Sequence, residues 1–182
     1  GIAAVQGLKG DAVWQAMDAG SWSKGGWDPA LFEACLARTQ TLAQPETYSH
    51  RYPTPEQMRE WVEEPVAYRI EYVDGTKATM LLMNGLVGDF TFAARIKGQA
   101  SPLSTLFYLP PVPNVMYSAE LMAKAEATFM TGKSPGPIER TLLTTGLVEA
   151  CVQSANTEQA RTETPHLDVA YQVTSESLFA ED

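Results

Sequence analysis

Over residues 66–73 and again over 90–97, side chains of different character alternate with a period of two, and turn residues bound these segments. Val66, Tyr68, Ile70 and Tyr72 alternate with Ala67, Arg69, Glu71 and Val73. Asp74-Gly75 follows, and Lys77 to Met83 returns. This pair predicts a hairpin closed by a two-residue type I′ turn. Two more strands are predicted over Phe90 to Lys97, ended by Gly98, and over Leu103 to Leu109, ended by Pro110-Pro111. The four strands predict one antiparallel sheet. The segment 77–83 is apolar on both faces, with Ala78, Met80 and Leu82 on one and Leu81 and Met83 beside Thr79 on the other. One of those faces is therefore expected to meet another protein surface.

Elsewhere the period lengthens. Residues 2–8 read as a short strand, after which Asp11 is placed to cap a helix carrying Ala12, Val13, Trp14 and Met17 and ending at Gly20. Asp28-Pro29 supplies a side-chain acceptor and then a residue that needs no N–H, so a helix is predicted from there to about Arg38. Thr54-Pro55-Glu56-Gln57 has the form of a capping box, and its helix ends before Pro65. A helix over 117–131 carries Tyr117, Leu121, Ala125 and Phe129 at a spacing of four, with Gly132 just past its end. The next starts at Pro137, runs to about Ser154 and turns Leu143, Leu147, Ala150 and Cys151 inward. Leu167 to Val173 is expected to add an edge strand, and 175–182 forms a frayed acidic tail. The fold class expected is α+β, a large and mostly antiparallel sheet packed on helices, in one domain over residues 1–174.

Composition narrows the function. A chain of 182 residues, 45% hydrophobic and 19% charged, is long enough for a core and excludes collagen, coiled coil and wholesale disorder. Thirteen Lys and Arg against 22 Asp and Glu give a net charge of −9 with no basic cluster, which argues against nucleic acid or an anionic membrane as partner. No apolar run reaches membrane-spanning length and no signal-peptide pattern opens the chain, so a cytoplasmic protein is expected. The first residue is Gly1, not Met, so the chain reads as a processed product or a portion of a longer polypeptide. Cys35 and Cys151 both fall on apolar helical stripes and are expected to be buried free thiols rather than a disulfide or a nucleophile.

Few residues advertise chemistry. Ala127 to Ser134 matches a relaxed phosphate-loop pattern, but its first residues lie on a predicted helix that Gly132 ends instead of preceding. There is no G-x-G-x-x-G, so no dinucleotide-binding domain is expected in this chain, and no zinc-protease, C-x-x-C or nucleophile-elbow motif. His50 sits in a polar loop. Glu163, His166 and Asp168 could each ligate a metal, but two His in the whole chain are too few for a site, and none is expected. Arg95 and Lys97 project from one face of a predicted strand. Thr141, Thr144 and Thr145 crowd the last helix, either facing a ligand or bonding back to the helix carbonyls. The paired carboxylates Glu63-Glu64 and Glu181-Asp182 are not placed for acid/base work.

The order of certain segments carries more. A Y-x-D-G hairpin (Tyr72 to Gly75) precedes a strand ending in Ile96-Lys97-Gly98. A helix then ends in Phe129-Met130-Thr131-Gly132-Lys133-Ser134-Pro135, followed by Glu139 and a helix closing on Glu149-Ala150 and Ser154. To these are added Ala3 to Gln6, Gly10 to Trp14, Glu139 to Gly146 and Glu163 to Asp168. Over most of residues 2–173 the chain resembles the C-terminal domain of the Gfo/Idh/MocA oxidoreductases, the glucose–fructose oxidoreductase and inositol dehydrogenase superfamily, in a branch of predicted oxidoreductases. The resemblance implies a substrate-side domain whose sheet makes a homo-oligomer. It also implies a parent protein that uses NAD or NADP on a sugar- or polyol-like small molecule. No cofactor is expected in this chain itself. The family's D-x-x-x-H catalytic helix has no match, since Asp11 is followed by Gln15 and Asp18 by Trp22. Catalytic residues therefore cannot be assigned, and Arg95, Arg140, Thr144 and His166 are the candidates to face a substrate. The alternative is a non-enzymatic binding or assembly module that self-associates through its sheet.

Overall fold

A computed structural model describes residues 1–44, 52–109 and 116–173. In chain order the elements are β1 (Ile2–Lys9), α1 (Asp11–Ala19), a 3-10 turn over Trp22–Lys24, α2 (Pro29–Leu36), α3 (Pro55–Trp61), β2 (Val66–Tyr72) and β3 (Lys77–Leu82). There follow β4 (Phe90–Ala94), β5 (Leu103–Phe107), α4 (Met116–Thr131), α5 (Ile138–Asn156), β6 (Thr162–Glu163) and a 3-10 turn over Pro165–Leu167. The class is α+β, with antiparallel sheets. Loop residue His50, the Pro110-Pro111 strand end and the acidic tail with its Glu181-Asp182 pair lie outside the described residues.

The main sheet has the order β3-β2-β1-β6, antiparallel throughout. Each face carries its own core. On the first, Leu8 and Ala67 meet Val13 and Trp14 of α1, Leu36 of α2 and Met58 of α3. On the second, Ile2, Val5 and Ile70 meet Ala150 and Cys151 of α5 and Leu167. Ile2 and Val5 are three residues apart and would ordinarily face opposite ways. A bulge solves this: Ile2 pairs with Tyr72 and Ala4 already with Glu71, so β1 spends one extra residue and both side chains turn to the second core. α5 lies very close to β1 here. A Cβ on Gly7 would stand 2.6 Å from both the Cys151 carbonyl and the Ala155 Cβ, so the contact requires glycine.

Two of the three predicted N-terminal caps form. Asp28 accepts from the Ala30 N–H with Pro29 in the first turn of α2, and Thr54 and Gln57 make a reciprocal capping box at α3. Cys35 and Cys151 are free, the first half-buried and the second buried. Gly132, at φ 67°, ends α4 through a bond to Thr128, so no phosphate loop exists at this position.

Several expectations are corrected. The 66–83 hairpin does not use a type I′ turn, which needs positive φ at both Asp74 and Gly75. Only Gly75 has it (φ 86°), Gly75 N–H bonds the Tyr72 carbonyl, and Tyr72 N–H bonds Thr76, so the loop is a type I turn followed by a glycine bulge. The four central strands do not make one sheet. After β3 the chain turns inward, burying Met83 and Leu86 in the first core, and re-emerges beside α2. There Asp89 accepts from Thr39 Oγ1 (2.5 Å) and Gln40 N–H (2.7 Å), Arg95 pairs with Asp28 (2.6 Å), and Arg38 donates to Ser104 (2.8 Å). β4 and β5 therefore form a separate two-stranded ribbon along α2. The strands stop at Ala94 and Phe107, so Arg95 and Lys97 lie beyond the ladder.

The helix after β1 is not capped by Asp11. Gly10 holds the capping position at φ 59° and ψ −132°, a backbone conformation that glycine alone adopts readily, with its N–H bonded to the Pro65 carbonyl (3.0 Å). The edge strand at 167–173 is also absent. The place beside β1 is taken by Thr162 and Glu163, which pair with Val5 and Ala4. Thr164 then bonds the Ile2 and Ala3 carbonyls (both 2.9 Å), and the 3-10 turn drives Leu167 into the second core.

Candidate functional site

The four candidates fall into two places. Arg95 follows β4 and donates through Nε to Asp28, so it joins the ribbon to the N-terminus of α2, and that contact holds the Asp28 carboxyl below its usual range. The other three surround α5. Arg140 lies exposed in its first turn, with its N–H bonded to the Pro137 carbonyl (3.2 Å). Thr144 donates to the Arg140 carbonyl (3.0 Å) and the Thr141 carbonyl (3.3 Å), the back-bonding expected of a threonine within a helix. His166 is exposed in the 3-10 turn, next to Leu167, whose side chain rests on Gly146 of α5. A site common to all four is therefore not formed: Arg95 belongs to α2 and the ribbon, not to α5. Among the described residues no group of His, Cys, Asp and Glu could hold a metal ion.

Sequence reasoning missed a polar network on the first face of the sheet. Arg69 lies one pleat beyond Ala67 on that face, opposite Gln6. Its Nη1 donates to Gln6 Oε1 (2.7 Å), its Nη2 to the Trp22 carbonyl (2.8 Å), and the Trp22 ring covers the guanidinium at 4.2 Å. Burial lowers the Arg69 pKa from its usual value. Its Nε is buried with no partner among the described residues. Each terminal nitrogen makes one bond within the protein, so the arginine acts as a clamp, fixing the Gly/Ser/Trp link between α1 and α2 to the sheet. Beyond it, Glu71 accepts two bonds from Arg161 (2.8 and 3.1 Å) and one from Lys77 (3.1 Å), and Arg161, first among these, pulls the carboxyl pKa down to about 2. The available signal was register: Arg69 and Glu71 face Thr79 and Lys77 across the hairpin, a polar patch on a face whose other end is apolar.

The ribbon leaves an apolar face open. On the ribbon's inner face, Thr91, Ala93, Ser104 and Leu106 turn toward α2 and are partly buried. On its outer face Phe90 pairs with Phe107, Phe92 with Thr105 and Ala94 with Leu103. Phe90, Phe92, Leu103 and Phe107 are 45–60% exposed, and the Phe92 and Phe107 rings lie 6.5 Å apart. Met80 and Leu82 of edge strand β3 are exposed as well. Among the described residues no helix is long and apolar enough to cross a membrane. No family model, curated protein or solved structure matches the chain.

Proposed function

We propose that this chain is an assembly domain: the substrate-side and oligomerisation portion of an NAD(P)-dependent oxidoreductase-like protein acting on a sugar- or polyol-like molecule. The outer face of the β4–β5 ribbon carries the assembly part of the reading. Three phenylalanines and a leucine displayed together on a two-stranded ribbon have the composition of an interface centre, where aromatic anchors dominate binding. The oxidoreductase part is supported by the residue motifs set out above and by an α+β class in which helices back an antiparallel sheet. On this reading the nicotinamide is bound by another domain and supplies the hydride chemistry. This chain shapes the pocket and holds the oligomer, with Arg140, Thr144 and His166 on the substrate side.

Two measurements test it. Phe92→Asp puts a charge at the centre of the ribbon face, and sedimentation equilibrium of the full chain is expected to show a lower mass than wild type. An unchanged mass would remove the ribbon as the interface. Titration of the native polypeptide with NADH and NADPH, read by nicotinamide fluorescence, is expected to show binding of one of them. Absence of both would leave the second reading, a non-enzymatic assembly module, which the separation of Arg95 from the other three candidates favours.

A further inference from the structure

α5 is apolar on two opposite sides. Leu143, Leu147, Ala150 and Cys151 form the side set into the second core. Ile138, Leu142, Val148 and Val152 recur at helical spacing on the other side and are 43–71% exposed, with Thr141, Thr145 and Glu149 among them, the Glu149 carboxylate accepting from Gln153 Nε2 (3.2 Å). Four large aliphatic side chains exposed together on one side of a helix mark a surface that another surface covers. α4 has a matching arc. Leu121, Ala125 and Phe129 recur every four residues with Met122 alongside, and Leu121, Met122 and Phe129 are 62–88% exposed. No described element packs closely along α4. A 16-residue helix is only just longer than the roughly 12–15 residues at which isolated helices are marginal in water, so its exposed apolar arc gains stability when covered.

The obvious partner of α4, its own α5, is held away. The connection is the six residues 132–137. Gly132 ends α4 in the left-handed region, Ser134 Oγ donates to the Gly136 carbonyl (2.6 Å), and Pro135 and Pro137 fix their own φ. This is a stiff connection, not a hinge. We propose that the two stripes are halves of one interface filled by a second copy of this chain. α4 of one copy lies along the outward stripe of α5 in the other, and a two-fold axis repeats the contact. At about 150–200 Å² per large apolar residue, reduced to the 43–88% of each that is exposed, the seven residues present roughly 800 Å², about what each partner contributes to a standard interface. The pairing uses a surface separate from the ribbon.

The test is sedimentation equilibrium of the full chain. Phe129→Asp and Leu142→Asp each halve the wild-type mass, with tryptophan emission unchanged because all four tryptophans precede residue 62. Met122→Lys serves as a second α4 variant if Phe129→Asp aggregates. An equimolar mixture of the α4 and α5 variants regains the higher-mass species, since an intact α4 from one chain meets an intact α5 from the other. A mass that neither substitution lowers overturns the pairing, and so does a mixture that stays at the lower mass. If only Phe92→Asp lowers the mass, the ribbon reading stands and the helix pairing falls.

Discussion

Glu71 sits at the rim of the sheet yet accepts three hydrogen bonds from two cations, and this drives its carboxyl to about 2 from an ordinary 4.5. A carboxylate whose folded pKa is depressed stabilises the fold fully above its unfolded value. That contribution fades as pH falls from about 4.5 toward 2. Arg161 is about half exposed, so solvent screening limits the effect to on the order of 1–2 kcal/mol. Glu71→Gln is expected to lower the thermal midpoint at pH 7 and to converge with wild type near pH 2. A gap of constant size across that range would mean the ion pairs are not its source. Register across the hairpin announces only one of these partners. Lys77 is a hairpin neighbour, but Arg161 is 90 residues away. The back-bonding of Thr144 stood as one of two readings because its partners lie within its own helix, whereas the Asp28 partner of Arg95, 67 residues upstream, was not foreseen.

At the scale of elements, legibility follows how local the causes are. The cap of α2 is written in Asp28-Pro29 and that of α3 in the four residues Thr54 to Gln57, and both form as written. The cap of α1 is not, because it depends on Gly10 bonding Pro65 across the sheet. The hairpin was legible as a hairpin, while its turn type depended on which residues take positive φ. Gly75 does, at 86°, and Asp74 does not. Gly75→Ala is therefore expected to destabilise the protein by about 1 kcal/mol, and Gly75→Asn by less, since asparagine tolerates the left-handed region. Equal melting temperatures for Gly75→Ala and wild type in calorimetry would contradict this turn. The division into sheet and ribbon was hidden for the same reason as the Arg95 contact. Alternation shows that 90–94 and 103–107 are strands, but their place is set by Asp89, Arg95 and Arg38 gripping the two ends of α2.

For the whole molecule the main consequence is that one thin sheet separates two cores yet joins them. β1 and β2 contribute to both, Leu8 and Ala67 on one side, Ile2, Val5 and Ile70 on the other, and the bulge in β1 makes this sharing possible. Damage to either core should then be felt across the sheet. Leu167 is a suitable probe: it is 1% exposed, lies in the second core, and belongs to a turn that the alternation pattern mistook for the start of a strand. All four tryptophans report from the opposite side. Trp14 and Trp27 are in the first core, Trp61 packs against it, and Trp22 lies on Arg69 of the same face. Leu167→Ala removes a fully buried side chain and is expected to destabilise the fold by about 2–5 kcal/mol. If the sheet couples the cores, tryptophan emission and far-UV circular dichroism will shift to the same lower urea midpoint, as in a two-state transition. Loss of circular dichroism with tryptophan emission left at the wild-type midpoint would mean that the second core, α5 included, unfolds by itself. The interface proposed for α5 would then rest on an independently melting layer.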